Sequence, residues 1–275
     1  KLSMRILIDI GHPAHVNFLK FAIKKLSEIG NEIIVTSLTR GKLLSVIEKE
    51  FYNYQIKYVG RHKGTKLSII FNANIKKFLN LLFFALNKKI DIGISVGSFT
   101  LGAALKILGK PNLQFDDDLE RSKNVFLEKL TSTELFFPPI IKPRGRLKIM
   151  KALKEWAYLS PKYFTPSEKE LEEYDLIPHN YIFVREVSTG SLNYKNQLAS
   201  IISTFADKLQ QTCKVLLSLE DKATINKYPS GWILLKEPVN DIHSLMYYSK
   251  IVISSGDSMV REGAMLGVPS IYCGV

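Results

Sequence analysis

Residues 251–272 constrain the fold of this chain more than any other stretch. Ile251-Val252-Ile253 is a short apolar run of the kind that fills a buried parallel strand. It passes through Ser254-Ser255-Gly256-Asp257-Ser258 into a helical pattern that stops at Gly267, so the spacing predicts strand, turn and helix in direct succession. Small residues in such a turn leave backbone N–H groups pointing outward, and the dipole of the following helix favours negative charge there. Ser255, Gly256, Asp257 and Ser258 are therefore a candidate diphosphate cradle, and Glu262, one helical turn further in, could accept hydrogen bonds from ribose hydroxyls. An ordinary capped helix has the same make-up, and neither a GxGxxG nor a Walker pattern is present to decide between them.

The rest of the chain repeats this unit. Arg5–Ile10 reads as a first, central strand, followed by a helix from Phe18 to Ile29 and a second strand from Glu32 to Ser37. The alternation continues with a helix at about 41–50, a strand at 54–59, a long helix at 66–88, a strand at 91–96, a helix at 99–108 and a strand at 111–115. Between 119 and 154 the pattern is less regular and is broken by Pro138-Pro139 and Pro143. A second series begins at Tyr181-Ile182-Phe183-Val184, with a helix at about 194–210, strands at 213–218 and 231–235, a helix at 240–248 and the strand at 250–253. Strands alternating with helices argue for an α/β fold of two Rossmann-like domains with parallel sheets facing a cleft. The expected boundaries are 1–160 for the first domain, 161–179 for a linker and 180–275 for the second.

Composition narrows the partners. The net charge of +12 is uneven: residues 1–150 carry +13 and residues 151–275 carry −1. An anionic partner for the first domain follows, with nucleic acid, an acidic lipid surface and a phosphorylated acceptor all admissible. The long helix places Lys76, Lys77, Lys88 and Lys89, with Lys63 and Lys66 upstream, beside apolar residues such as Ile75, Leu79 and Phe84. That is the composition of a helix touching an anionic bilayer from one side, and equally of a helix buried on two sides. Nucleic acid ranks last, because aromatic residues do not interleave the basic ones. The longest apolar run in this region, Leu81–Leu86, is too short to span a bilayer, and no secretory leader is expected. Cys213 and Cys273 sit in strand-like apolar settings, which suits reduced thiols in a cytoplasmic protein acting at the inner face of the membrane.

The polar residues that could do chemistry follow predicted strands, so a parallel sheet gathers them at one edge. Gly11, His12 and His15 follow the first strand and Gly97-Ser98 the fourth; Asp116, Asp117 and Asp118 follow the fifth, and Arg185 and Glu186 the first strand of the second series. His12 or His15 could deprotonate a hydroxyl or, alternatively, cap the next helix. Arg185 could neutralise a phosphate. The three aspartates could hold a cation, cap a helix or bind substrate hydroxyls. No third ligand accompanies the histidines, so no metal is assigned and no cofactor is required.

Taken together and in order, Asp9-Ile10-Gly11-His12-Pro13-Ala14-His15-Val16, Phe115-Asp116-Asp117, the segment from Lys154-Glu155-Trp156 to Phe164-Thr165-Pro166, Tyr181–Arg185 and residues 255–269 resemble the prokaryotic family called domain of unknown function 354. The resemblance covers nearly the whole chain. It implies a GT-B-like architecture akin to UDP-N-acetylglucosamine 2-epimerases and to the N-acetylglucosaminyltransferase of peptidoglycan synthesis. It also implies that the C-terminal domain holds the nucleotide sugar, with Ser255 and Gly256 in the phosphate loop and Glu262 on the ribose. Those relatives continue past the strand near Cys273, so the second domain is expected to be truncated here. The resulting expectation is a glycosyltransferase that uses a nucleotide-diphosphate sugar, a UDP-sugar first, and a hydroxyl acceptor that is phosphorylated or lipid-linked. His15, His12 and Asp117 are its catalytic candidates; Gly11, Gly97, Ser98, Asp116, Arg185, Ser255, Gly256, Asp257, Ser258 and Glu262 are its binding candidates. An epimerase or hydrolase, with the Asp116–Asp118 cluster moving protons, is the alternative. A non-catalytic sugar-nucleotide or nucleic-acid binding protein is the alternative from another class.

Overall fold

Alternation in the first strand already fixes a layered fold. In β1 (Arg5–Ile10), Ile6, Ile8 and Ile10 join one core cluster, while Leu7 belongs to another on the opposite face. A strand buried on both faces needs helices above and below it, which is the parallel doubly wound solution. The computed structural model describes residues 3–39, 43–61, 74–118, 122–140, 142, 145, 147–189, 197–210, 213–237 and 239–274. It divides into two compact units, Lys1–Tyr158 and Leu159–Val275.

In the first unit β1 is followed by α1 (Pro13–Glu28), β2 (Glu32–Thr39), α2 (Leu43–Glu50), β3 (Gln55–Arg61), α3 (Lys77–Asn87), β4 (Ile92–Val96), α4 (Phe99–Ile107), β5 (Asn112–Phe115), α5 (Ser122–Thr131), β6 (Glu134–Phe137) and β7 (Leu147–Ile149). The sheet order is β3-β2-β1-β4-β5-β6-β7 and every pairing is parallel. Leu19 and Ile23 of α1 pack with Leu43 and Ile47 of α2 on one face; Leu81 and Ala85 of α3 pack with Leu101 and Leu105 of α4 on the other. The irregular region 119–154 contributes α5 and two further strands. These are only four and three residues long, and β6 runs straight into Pro138, so their periodicity is too brief to read. The expected helix 66–88 is observed over Lys77–Asn87, with a π-type turn at 74–76; residues 62–73 lie outside the described residues.

The second unit starts within α6 (Trp156–Leu159) and contains α7 (Lys169–Glu172), β8 (Tyr181–Glu186), α8 (Ala206–Gln210), β9 (Lys214–Leu219), β10 (Ile233–Leu234), α9 (Ile242–Tyr247), β11 (Ile251–Ser254), α10 (Asp257–Met265) and β12 (Ser270–Tyr272). Its sheet order is β10-β9-β8-β11-β12, again parallel throughout. Residues 161–179, expected as a linker, include Leu171, Tyr174 and Leu176, which are buried with Tyr181, Phe183 and Leu245. In place of a continuous helix at 194–210, a 3₁₀ turn (Ile201–Phe205) leads into α8, with 190–196 outside the described residues. Helix α10 lies close to the sheet because residue 263 is glycine: a Cβ there would meet Ser270 Oγ at 2.5 Å and Val252 Cγ2 at 3.0 Å.

Candidate functional site

In a sheet of order 3-2-1-4-5, the strands on either side of the topological switch send their following loops to opposite faces and open a crevice beyond their C-terminal ends. The second unit has this switch between β8 and β11, and the opening stretch of the sequence analysis lies on it. Ser254 and Ser255, both fully buried, build the turn. The Gly256 N–H donates to Ser254 Oγ (2.9 Å), and that hydroxyl donates to the Gly256 carbonyl (2.8 Å). Ser255 N–H donates to the Arg185 carbonyl (3.0 Å), while Ser255 Oγ accepts from Val187 N–H (2.9 Å). Ser254 thus closes the turn on itself, and Ser255 stitches it to the end of β8 and the loop that follows.

Helix α10 starts immediately after. Its N-cap is Gly256, in extended backbone and with no side-chain cap, so the first-turn N–H groups are left for a partner other than an N-cap side chain. Asp257, exposed, reaches along the helix to Arg261 (3.1 Å). Its carboxylate is therefore used at i,i+4. Ser258 follows in the same first turn and is partly exposed. Glu262 turns to the less exposed side, where Oε1 lies 3.3 Å from His243 Nε2. Arg185 ends β8 between Ser218 and Ser254 in register; its guanidinium donates to Ser218 Oγ (2.9 Å) and sits 3.9 Å from Glu220. Next to it, buried Glu186 accepts from Tyr228 OH (2.7 Å) and Ile202 N–H (3.0 Å). Burial, then this contact, holds the Tyr228 hydroxyl far above the usual phenol range. Burial and then Glu186 also push the Cys273 thiol up, which makes it a poor nucleophile.

The first unit has its own switch, between β1 and β4. His12 is the N-cap of α1: its Nδ1 accepts from Ala14 N–H (3.2 Å), the capping role weighed from the sequence. His15 Nδ1 accepts from Gly11 N–H at a longer 3.4 Å, and the two rings lie 5.8 Å apart. Gly97 takes a left-handed φ of 60° after β4, which turns Ser98 inward as the N-cap of α4. There Ser98 Oγ donates to Asp9 Oδ2 (2.5 Å), and the same oxygen takes Lys77 Nζ at 2.5 Å. Lys77 also donates to Ser98 Oγ (3.2 Å), Ser98 meets Thr100 Oγ1 (3.1 Å), and Thr36 Oγ1 donates to Asp9 Oδ1 (3.0 Å). All five residues are buried. Lys77, one of the lysines that the sequence sets beside the apolar residues of the long helix, is the cation of a buried ion pair.

At the end of β5, Asp116 Oδ1 accepts from the N–H groups of Asp117 (2.7 Å) and Asp118 (3.1 Å), a turn closed by its own side chain. Asp117 pairs with Lys154 at 2.5 Å, which explains why Phe115-Asp116-Asp117 and Lys154-Glu155-Trp156 belong to one pattern. Among the described residues no group of three or more His, Cys, Asp or Glu side chains could hold a metal ion. The geometry adds Asp9, Thr36, Lys77 and Lys154 in the first unit and Phe164 and His243 in the second. Only Asp9 left a mark on its own stretch of sequence, as a carboxylate inside an apolar strand.

Known proteins place this architecture. The chain is 24% identical to the uncharacterized protein MJ0665 of Methanocaldococcus jannaschii over 286 residues, covering 99% of the chain and 82% of that protein. Among solved structures it is similar to the UDP-GlcNAc 2-epimerase of Neisseria meningitidis bound to UDP-GlcNAc (TM-score 0.68, 14% identity, 98% of this chain and 82% of that one). It is also similar to the UDP-N-acetylglucosamine 2-epimerase of Rickettsia bellii (0.70, 12%, 98% and 78%) and to the glycosyltransferase VinC in complex with dTDP (0.67, 13%, 99% and 81%). At these identities the likeness is one of fold, and the fold is that of GT-B-like glycosyltransferases and epimerases. Residues 4–274 match the family described as protein of unknown function (DUF354), and the chain belongs to that family.

Proposed function

We propose that the second unit binds a nucleoside-diphosphate sugar, a UDP-sugar first, and that the protein transfers the sugar to a hydroxyl acceptor held by the basic first unit. The observation that carries this reading is α10: a helix of nine residues that begins at the β8/β11 switch with a glycine N-cap and carries Glu262 on its inner side. The diphosphate lies against the N–H groups of its first turn and the ribose hydroxyls against Glu262. Transfer forms a bond from the acceptor oxygen to the anomeric carbon and breaks the bond from that carbon to the diphosphate, which leaves with the electron pair. The helix terminus contributes about 1–2 kcal/mol toward that charge and Arg185, at the end of β8, adds to it; this reading uses no metal. The acceptor proton passes to His15. Of the two histidines it is the better base, because its contact to Gly11 is long and easily surrendered, whereas His12 is committed to the cap.

Transfer is preferred to epimerisation here because two of the three β5 carboxylates are already engaged, Asp116 Oδ1 in its own turn and Asp117 with Lys154. Incubation with UDP-, GDP- and CMP-sugars, followed by melting and product analysis, tests this. A UDP-sugar is expected to raise the melting temperature and, without acceptor, to give only slow hydrolysis. A changed sugar would establish the epimerase instead, and no shift with any sugar nucleotide would overturn both.

The acceptor is proposed to be lipid-linked and reached from an anionic bilayer at the cytoplasmic face. Ile75, Leu79, Phe83 and Leu86 recur at helical spacing and are 48, 42, 59 and 56% exposed, with Lys76 and Lys89 exposed alongside. Among the described residues no helix is long and apolar enough to cross a membrane. A reducing compartment suits Cys213 and Cys273, which are not joined in a disulfide.

A further inference from the structure

We propose that His243 is a positioning residue that orients the Glu262 carboxylate toward the vicinal hydroxyls of a ribose, and so makes the site selective for ribonucleotides over deoxyribonucleotides. This rests on the nucleotide reading of α10. Glu262 and His243 expose only 13 and 17% of their side chains, so neither is a freely rotating surface group. A largely buried glutamate has three side-chain torsions to fix before it can accept two hydroxyls at once, and His243 Nε2, 3.3 Å from Oε1, helps to fix them. A carboxylate offers four acceptor sites, so one contact to an imidazole sets its plane without exhausting its capacity for a diol.

His243 is itself held from two directions. Asp241 caps α9, accepting from the N–H groups of His243 and Ser244 (3.1 Å each), which sets where the ring leaves the helix. Phe164 meets the ring edge-on, with centroids 6.2 Å apart and planes at 82°, and makes a second edge contact with Tyr247 at 6.4 Å. Ser167 N–H donates to Ser244 Oγ (2.9 Å) and ties the segment carrying Phe164 to the same helix. The Phe164-Thr165-Pro166 end of the long sequence pattern therefore has a use that its position, about 100 residues before α10, conceals. Through Phe164 it supports the imidazole that aims Glu262.

The test is titration of the full chain with UDP and with 2′-deoxy-UDP, for the wild type, His243→Ala, His243→Gln and Glu262→Gln. The wild type is expected to prefer UDP by about tenfold, the scale of one hydrogen bond to a charged acceptor. His243→Ala is expected to bring the two affinities together by weakening UDP alone, and Glu262→Gln to do the same. His243→Gln, which keeps an N–H donor, should restore part of the preference. Equal weakening of both nucleotides by His243→Ala would show a merely structural role and overturn the proposal, as would a wild type with no preference. A wild type that binds neither nucleotide would overturn the nucleotide reading itself and this inference with it. Should His243→Ala fail to melt cooperatively, His243→Gln and Phe164→Leu carry the comparison, and an unchanged preference in both would contradict the proposal.

Discussion

Asp9 and Lys77 bury opposite charges against each other where the sheet of the first unit opens. Taking two charges out of water is expensive, and the expense is met only while both are present with Ser98 and Thr36 to complete the hydrogen bonding. Lys77→Met is therefore expected to cost about 3–5 kcal/mol, by stranding the Asp9 carboxylate. The double variant Asp9→Leu with Lys77→Met should recover much of that loss. Denaturant midpoints of the three proteins check this, and equal losses in the single and double variants would show that the pair does not act as a unit. A carboxylate inside the apolar run Ile6–Ile10 was visible in the sequence, and such a group requires a partner. That the partner is Lys77, 68 residues away, was not visible, because a contact across the chain leaves no local spacing. His243 is hidden in the same way from Glu262. Asp257, by contrast, is explained by a local rule, its i,i+4 pairing with Arg261.

At the scale of elements, strands and helices of ordinary length were legible because period and punctuation agree. β1, β2, α4, β8, β9, β11 and α10 all stand within a few residues of where apolar periodicity and glycine stops put them. Short pieces were not: β6 and β7, at and next to the edge of the first sheet, are too brief for a period to show, whereas the two-residue β10 falls inside the strand expected at 231–235. Helix α3 shows the limit of reading charge alone. Its apolar residues and lysines fitted a helix touching a bilayer from one side and equally a helix buried on two sides; the structure gives it two different faces, with Lys77, Leu81 and Ala85 in the core, and Leu79, Phe83 and Leu86, together with Ile75 just before the helix, exposed. The proposed membrane contact would use the exposed face. Phe83→Ser combined with Leu79→Ser is expected to reduce co-sedimentation with phosphatidylglycerol vesicles by about fivefold or more without changing the melting temperature. Unchanged co-sedimentation would assign that stripe another role. Lys77 must be left intact in such experiments, since its replacement tests the core.

The whole molecule repeats one design twice. Each unit carries a parallel sheet whose order reverses at its first and fourth strands, and each places its polar residues on the loops beyond those two strands. The two halves then diverge in charge, +13 for residues 1–150 against −1 for 151–275, which supports the proposal of an anionic acceptor on the first and a nucleotide sugar on the second. The fold followed from the sequence because alternation is a global property that survives local irregularity. The candidate site was legible only in part: Ser254 and Ser255 were read as the turn before α10, while the hydrogen bonds by which they build it, and the contact of His243 with Glu262, depend on side-chain directions that only the packed structure fixes. The central claim, that the α10 terminus is a diphosphate site, is tested most directly by a crystal structure of the full chain with UDP. The account predicts the diphosphate against the N–H groups of Asp257 and Ser258 with the ribose on Glu262; a nucleotide bound away from the β8/β11 switch would contradict it.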